Sequence, residues 1–200
     1  LVYNADGYYT YTFNTAFTIA DADKALTHRI ALQLSYTNAA GVVVKANPYF
    51  DFTIGADGKA VAVTDPTKTR KMTDVSSCNS CHEKLALHGG GRVDTQYCVI
   101  CHNPGTTDPV SGNVVTLSNM VHKIHAGKKL AAAGQPYYVS SAGYSEVGFP
   151  QDLRNCTKCH TGANAATPQG DNWKTKVSKE ACLGCHADKI GSTWEVSHKV

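Results

Sequence analysis

Four copies of the motif Cys-x-x-Cys-His account for all eight cysteines of this 200-residue chain, at residues 78–82, 98–102, 156–160 and 182–186. Two thiols three positions apart can each add to a vinyl group of one haem, and the histidine that follows reaches the iron as its proximal ligand. The motifs therefore predict four covalently bound haem c groups. The predicted attachment residues are Cys78, Cys81, Cys98, Cys101, Cys156, Cys159, Cys182 and Cys185. The predicted proximal ligands are His82, His102, His160 and His186.

Two other uses of paired cysteines are the alternatives. Two Cys-x-x-Cys pairs can share a structural zinc ion, and a single pair can form a redox-active disulfide. A redox pair does not require a histidine directly after its second cysteine, whereas a histidine follows in all four motifs here. Haem attachment is therefore the interpretation that the set of motifs favours.

Each haem iron has a second axial position, and the remaining residues limit how it can be filled. Five histidines lie outside the motifs, whereas the chain has only two methionines, Met72 and Met120. Histidine can therefore cap all four irons, with one histidine to spare. The five candidates are His28, His88, His122, His125 and His198.

Local sequence favours four of these histidines as distal ligands. His122 and His125 lie three positions apart in a segment that is typical of a short helix, so their side chains diverge by about 60° and can serve two haems. His88 precedes three glycines, which permit close backbone approach to a flat macrocycle. His198 lies twelve residues beyond His186. The alternatives are ordinary surface or helix-end histidines.

His28 is the exception, because it lies beside Arg29 and far in sequence from the other histidines. The interpretation that we favour is a hydrogen-bonded or solvated histidine. The alternative is that His28 contacts a haem propionate or ligates a haem of a neighbouring subunit.

Residues 1–72 have the alternating patterns of β-strands, at 9–13, 30–36 and 49–54. Asp57-Gly58 follows the third run and indicates a hairpin. We therefore predict a small all-β N-terminal domain over residues 1–72, an antiparallel sandwich or barrel.

Residues 73–200 form the predicted tetrahaem c-type cytochrome domain, with short helices, loops and little regular structure. This part of the chain is poor in large aliphatic residues, so haem would have to supply the apolar bulk of its core. The first two motifs begin 20 residues apart and the last two 26, with 58 between the second and third. This spacing predicts two close pairs of haems that are joined across the middle of the chain.

Charge and hydropathy exclude several functions. The formal net charge of +3 falls to about −1 once four ferric haems, each contributing about −1, are included, and the lysines are scattered, which argues against a nucleic-acid partner. No apolar run approaches the roughly 20 residues that span a bilayer. The N-terminal residues lack the pattern of a signal peptide and a cysteine for lipid attachment, so we expect a mature or trimmed product without a membrane anchor.

Six stretches of the chain resemble one known family, the OmcA/MtrC outer-surface multihaem cytochromes. They lie at residues 26–34, 81–92, 98–113, 120–127, 149–160 and 171–174. The resemblance implies a β domain before a haem domain, bis-histidine ligation, and extracellular electron transfer. It also implies that the distal ligands are His88, His122, His125 and His198.

The resemblance further implies an exported protein, extracellular or at the cell surface, with the periplasm as second choice. Its partners would be redox-partner cytochromes and extracellular electron acceptors. By size the chain also resembles four-haem cytochromes that polymerise into filaments (the OmcE type), which implies a homo-oligomer. The alternative is a half-length fragment of a ten-haem family member.

The function that these features favour is an electron conduit of six-coordinate haems, not an enzyme. A multihaem reductase of nitrite, hydroxylamine or a similar small molecule is the alternative, and it needs an open iron position. No motif has its proximal histidine replaced, which favours the conduit. A surface adhesin that uses haems only for rigidity is a third hypothesis.

Overall fold

The computed structural model of the chain describes residues 1–176, 178–186 and 193. It combines small antiparallel β-sheets with short helices. The strands are β1 Val2–Tyr3, β2 Tyr9–Thr10, β3 His28–Ala31, β4 Leu34–Thr37, β5 Val43–Ala46, β6 Tyr49–Ile54, β7 Ala60–Ala62, β8 Tyr138–Val139 and β9 Ala142–Gly143. The helices are α1 Val75–His82, α2 Thr95–Cys101, α3 Leu117–His125, α4 Gly127–Ala132 and α5 Lys179–Cys185.

The main sheet has the strand order β3-β6-β7, and all of its pairings are antiparallel. The turn at Asp57-Gly58 joins β6 to β7, with Gly58 at a φ of +77° that suits glycine. The predicted hairpin is therefore confirmed. The predicted strand at 49–54 is also confirmed, since β6 has these bounds.

Two predicted strands differ from the observed ones. The run at 9–13 forms a strand only at Tyr9–Thr10, which pairs with β1. The run at 30–36 divides into β3 and β4 because these strands have different partners, β6 and β5. A sandwich or barrel over residues 1–72, and the boundary at residue 72, stay predictions.

A largely buried ion pair joins the main sheet to helix α2. Arg29 donates two parallel hydrogen bonds to Asp51, at 2.6 and 2.8 Å; the Asp51 side chain is buried and the Arg29 side chain is 13% exposed. Its other nitrogen donates to the side-chain oxygen of Gln96 at 2.6 Å, in the first turn of α2. Because a bidentate buried pair fixes both direction and distance, Arg29 ties the sheet to the helix that carries the second motif.

The buried apolar side chains in the described part of the chain are few and small in total volume. They are Val115, Ala126, Leu130, Tyr137 and Leu183. A chain of this length normally buries a much larger apolar core. The described residues therefore leave room for an apolar group, as the composition of residues 73–200 predicts. In the same part of the chain, none of the helices has the length and apolar character needed to cross a bilayer.

Candidate haem sites

Helix α1 carries the first motif and ends at its histidine. Asp74 accepts the backbone N–H of Ser76 at 2.7 Å and caps the helix. The ring of His82 faces the ring of His125, which lies at the end of α3, with 6.0 Å between the ring centres. The histidine of the first motif thus lies opposite a histidine that belongs to no motif.

Helix α2 carries the second motif, and His102 follows its last residue. The Nδ1 of His102 donates to the Val115 carbonyl at 2.8 Å, which fixes the ring and leaves Nε2 available. The ring of His88 lies opposite, with the two centres 6.1 Å apart. Gly89 and Gly90 follow His88 with φ of +75° and +80°, so the glycines supply the tight turn that presents this histidine.

The third motif lies on a single 3-10 turn, Cys156–Lys158. The ring of His160 faces that of His122 at 6.1 Å. The Nδ1 of His160 donates to the Met72 carbonyl at 3.3 Å. This contact joins the third motif to the segment just before α1.

Helix α5 carries the fourth motif, and His186 follows it directly. Ser178 caps this helix by accepting the backbone N–H of Ala181 at 3.3 Å. Helix α5 packs against α3. His198, the histidine that the sequence assigns as a further distal ligand, lies outside the described residues.

One helix therefore serves two motifs. His122 and His125 leave α3 in different directions, so that one faces His160 and the other faces His82. The predicted short helix is confirmed, since α3 spans both histidines. The sequence did not predict which histidine faces which motif.

The distance between the paired rings fits a metal ion bound from both sides. An imidazole nitrogen lies about 2 Å from a first-row metal ion and about 1.2 Å from its own ring centre, so two rings on opposite sides of one ion are about 6.4 Å apart. The three observed distances are 6.0, 6.1 and 6.1 Å. These histidines fit the two axial positions of a haem iron, and the adjacent cysteine pairs fit its thioether attachment.

Burial lowers the pKa of four of these histidines below the ordinary value, and for His88 the nearby Arg92 contributes. Burial is the main cause for His122, where the nearby His160 contributes, and it is also the main cause for His125 and for His160 itself. Neutral imidazole is the form that binds a metal. The site therefore favours the ligating form of these side chains at neutral pH.

The cysteines show which motifs are neighbours. Burial, then the nearby Cys159 and Cys98, raise the pKa of the half-buried Cys78 to about 11. Burial also raises the pKa of Cys185, with a contribution from Cys156. The first motif is thus close to the second and third, and the third is close to the fourth. These contacts indicate the spatial order second, first, third, fourth. Two close pairs of haems stay a prediction.

A cleft of about 570 Å³ opens beside His125. Its apolar walls include Phe149, whose ring meets the His125 ring edge-on at 5.4 Å, and Leu153. Lys128 and Lys129 line the same cleft. An apolar wall with cations at its rim suits a flat apolar group that carries carboxylates.

His28 is placed differently from the other described histidines. Its Nε2 makes a hydrogen bond with the Asp23 carbonyl at 2.9 Å, and its ring lies 5.6 Å from Phe52 in the main sheet. These contacts suit a hydrogen-bonded histidine of the β region. Ligation of a neighbouring subunit's haem by His28 stays a prediction.

An aspartate or a serine stands four positions before the first cysteine of every motif, a signal that the predictions above did not use. Asp74 and Asp94 cap α1 and α2, and Ser178 caps α5. Asp152 instead accepts the Arg154 backbone N–H at 2.8 Å, in the turn that leads to the third motif. Aspartate or serine at this position is a capping signal that the sequence contains.

We expect replacement of Asp94 by alanine to lower the free energy of unfolding by about 1 kcal/mol, because the first turn of α2 loses its cap. Denaturant unfolding of the haem-loaded protein measures this loss. Asp94→Asn keeps a capping oxygen and should retain most of the stability. Equal losses in the two variants would show that the cap does not stabilise the helix.

Comparison with known proteins gives a consistent result. A family model described as outer membrane cytochrome MtrC/MtrF-like, domains II/IV, matches residues 70–199. The multiheme cytochrome MtrC of Shewanella baltica (strain OS185) is 30% identical over 189 residues, which cover 91% of this chain and 24% of MtrC.

A solved structure is also similar. The match to the crystal structure of the outer membrane decaheme cytochrome OmcA has a TM-score of 0.59 and 32% identity, and it covers 72% of this chain and 22% of the OmcA chain. The small sheets and short helices are thus similar to part of OmcA. The chain spans about a quarter of the length of these relatives.

Proposed function

Because the chain belongs to the OmcA/MtrC family of outer-membrane multihaem cytochromes, we propose that it conducts electrons along a row of four covalently bound haem c groups. The observation that carries this proposal is the set of three histidine ring pairs, 6.0 to 6.1 Å apart, each joining a motif histidine to one outside the motifs. Haem iron, when bound, cycles between the ferric and ferrous states by one electron.

The proposed ligand sets follow from these pairs. His82 with His125, His102 with His88, and His160 with His122 would each hold one iron, while the cysteine pair of each motif would attach the porphyrin. His186 would hold the fourth iron, with His198 as its proposed partner. We propose residues 73–200 as the haem domain and residues 1–72 as a β domain before it.

The protein contributes to conduction by setting the distances between the haem groups and their reduction potentials. Two imidazoles would hold the iron at each of the three described pairs and would leave no open position there for a substrate, so these residues favour an electron carrier over an enzyme. Carbonyls that accept the Nδ1–H of ligand histidines fix the ring orientation and raise ligand basicity. The short tethers between neighbouring motifs keep the centres within reach of one another.

A reductive titration tests the conduit against a reductase. We expect reversible uptake of four electrons per chain, and no carbon monoxide binding to the native ferrous protein, because both axial positions are filled. Carbon monoxide binding in the native state would indicate an open iron position and would favour the reduction of a small molecule.

We propose a location at or beyond the outer surface, where redox-partner cytochromes supply electrons and extracellular acceptors receive them. The names of the relatives, which are an outer-membrane decahaem cytochrome and a multihaem cytochrome, support this place. An equivalent role as one segment of a decahaem surface cytochrome is the alternative, since the chain matches about a quarter of each relative.

Assembly of copies into a filament is a separate proposal, prompted by the size of the chain. Electron microscopy of the purified native protein tests it. Long, uniform fibres would support the filament, and isolated particles would contradict it.

The variant His28→Ala tests whether His28 ligates a haem of a neighbouring subunit. If it does, the assembled variant should have one low-spin haem centre fewer per chain than the assembled wild-type protein.

A further inference from the structure

The ligand histidines differ in how their second ring nitrogen is used. His102 and His125 donate Nδ1–H to the carbonyls of Val115 and Val121, at 2.8 and 2.9 Å. His160 donates to the Met72 carbonyl over a longer 3.3 Å. The Nδ1 of His122 is buried and has no hydrogen-bond partner in the part of the chain that is described. Among the described residues each pair thus has one such hydrogen bond, and the one in the pair of His122 and His160 is the longest. This pair also differs from the other two in that its second nitrogen without a protein partner is buried.

The surroundings of His122 within the described residues give its Nδ1–H no well-placed hydrogen-bond acceptor. The Ser118 carbonyl, one turn earlier in α3, acts against the lowering of the His122 pKa by burial, but its contact with Nδ1 falls short of a well-formed hydrogen bond. Helix α5 covers the other side, where Gly184 approaches so closely that an added Cβ would lie 3.0 Å from the His122 Cβ. By contrast, His82 and His88 of the other two pairs are exposed.

The missing hydrogen bond at the His122 Nδ1 and the burial of this ring both raise the reduction potential of the centre. A hydrogen bond donated by Nδ1–H makes the imidazole a stronger electron donor to iron and stabilises the ferric state, so its absence favours the ferrous state. Burial also favours the ferrous state, because the ferric centre carries one more positive charge.

We propose that the centre held by His122 and His160 has the highest reduction potential of the three described ligand pairs, so that electrons on the chain collect there. This inference rests on the proposed function. One electron moves from an adjacent centre, which is oxidised, to this one, which is reduced, and no bond is made or broken. The third motif lies between the first and the fourth, so the electron sink is inside the row and not at its end.

Gly184 offers a direct test, because an added Cβ there would lie 3.8 Å from the His122 Nδ1. Gly184→Ser brings a hydroxyl that can accept the unused N–H, whereas Gly184→Ala adds the same carbon without an acceptor. Both variants keep the cysteines and histidine of the fourth motif. Their difference isolates the hydrogen bond from the steric effect that they share.

The measurement is a potentiometric titration of the haem-loaded protein, followed by electron paramagnetic resonance of each ferric centre. We expect the highest reduction potential to be about 30–60 mV lower in Gly184→Ser than in Gly184→Ala. This corresponds to a reduction equilibrium constant that is about threefold to tenfold smaller. The other potentials should agree between the two variants. Identical highest potentials in the two variants would overturn the inference.

A second measurement does not depend on the folding of the Gly184 variants. Replacing Cys156 and Cys159 by serine removes the third centre, and the step lost from the titration should be the one of highest potential. Loss of a titration step of lower potential would overturn this inference, but it would not contradict the proposed electron conduit. A native protein with no haem at all would instead overturn the proposed function.

Discussion

Replacing His125 by alanine is expected to open one of the four iron sites. The His125 ring lies 6.0 Å from the ring of His82, and its Nδ1 is already held by the Val121 carbonyl at 2.9 Å. Alanine leaves that iron with one protein ligand, so about a quarter of the low-spin ferric signal should become high-spin. Electron paramagnetic resonance measures the change, and the ferrous variant should bind carbon monoxide at one site.

Two variants in the same helix serve as controls for His125→Ala. His125→Met supplies a different axial ligand, so the centre should stay six-coordinate with a raised potential. Lys123→Ala removes a side chain whose Nζ lies 5.3 Å from the Tyr137 ring, and it should leave all four centres low-spin. An unchanged low-spin signal in His125→Ala would show that His125 does not bind iron.

The double replacement of Cys156 and Cys159 by serine is expected to remove one haem and to interrupt conduction. The third motif lies between the first and the fourth, since α3 contacts the first and third motifs through His125 and His122, and Gly184 of the fourth motif lies against His122. Loss of the middle centre should slow electron exchange between the fourth centre and the first two by orders of magnitude. Pulsed reduction followed by absorption spectroscopy measures the exchange.

The matched variant replaces Cys98 and Cys101, which belong to the second motif at the end of the row. It also removes one haem, but exchange among the remaining three centres should continue. Equal slowing in the two double variants would contradict the order second, first, third, fourth. Retention of four haems after either replacement would contradict thioether attachment through those cysteines.

The residues of the candidate site are easier to predict from the sequence than their arrangement. Motif spacing is local, so Cys-x-x-Cys-His predicts the attachment residues, and the histidine count gives the candidates for the opposite side. The pairing of His125 with His82, and of His122 with His160, depends on where α3 lies against the motif segments. That position is a tertiary property, which no local pattern encodes.

Hydrogen bonds to backbone carbonyls were also beyond sequence reasoning. The carbonyls of Val115, Val121 and Met72 accept from three of the proposed ligand histidines, and any residue type supplies the same carbonyl. By contrast, the capping residues had a readable signal, since aspartate or serine stands four positions before each motif.

In the β region, the sequence predicted the hairpin and misjudged two strand lengths. Asp57-Gly58 has a backbone preference that makes the turn local, so it is confirmed. The run at 30–36 has one continuous alternation, but its chain changes partner where the Leu32 N–H donates to the Pro48 carbonyl at 2.9 Å. A change of pairing partner depends on the positions of the other strands, so the residue pattern of 30–36 alone does not predict it.

The central claim is that four haem groups are covalently attached to this chain. The most direct measurement is the intact mass of the denatured native protein, since thioether bonds survive denaturation whereas axial ligation does not. We expect the mass of the polypeptide plus four haem groups. The mass of the bare polypeptide, from a host able to mature c-type cytochromes, would contradict the account.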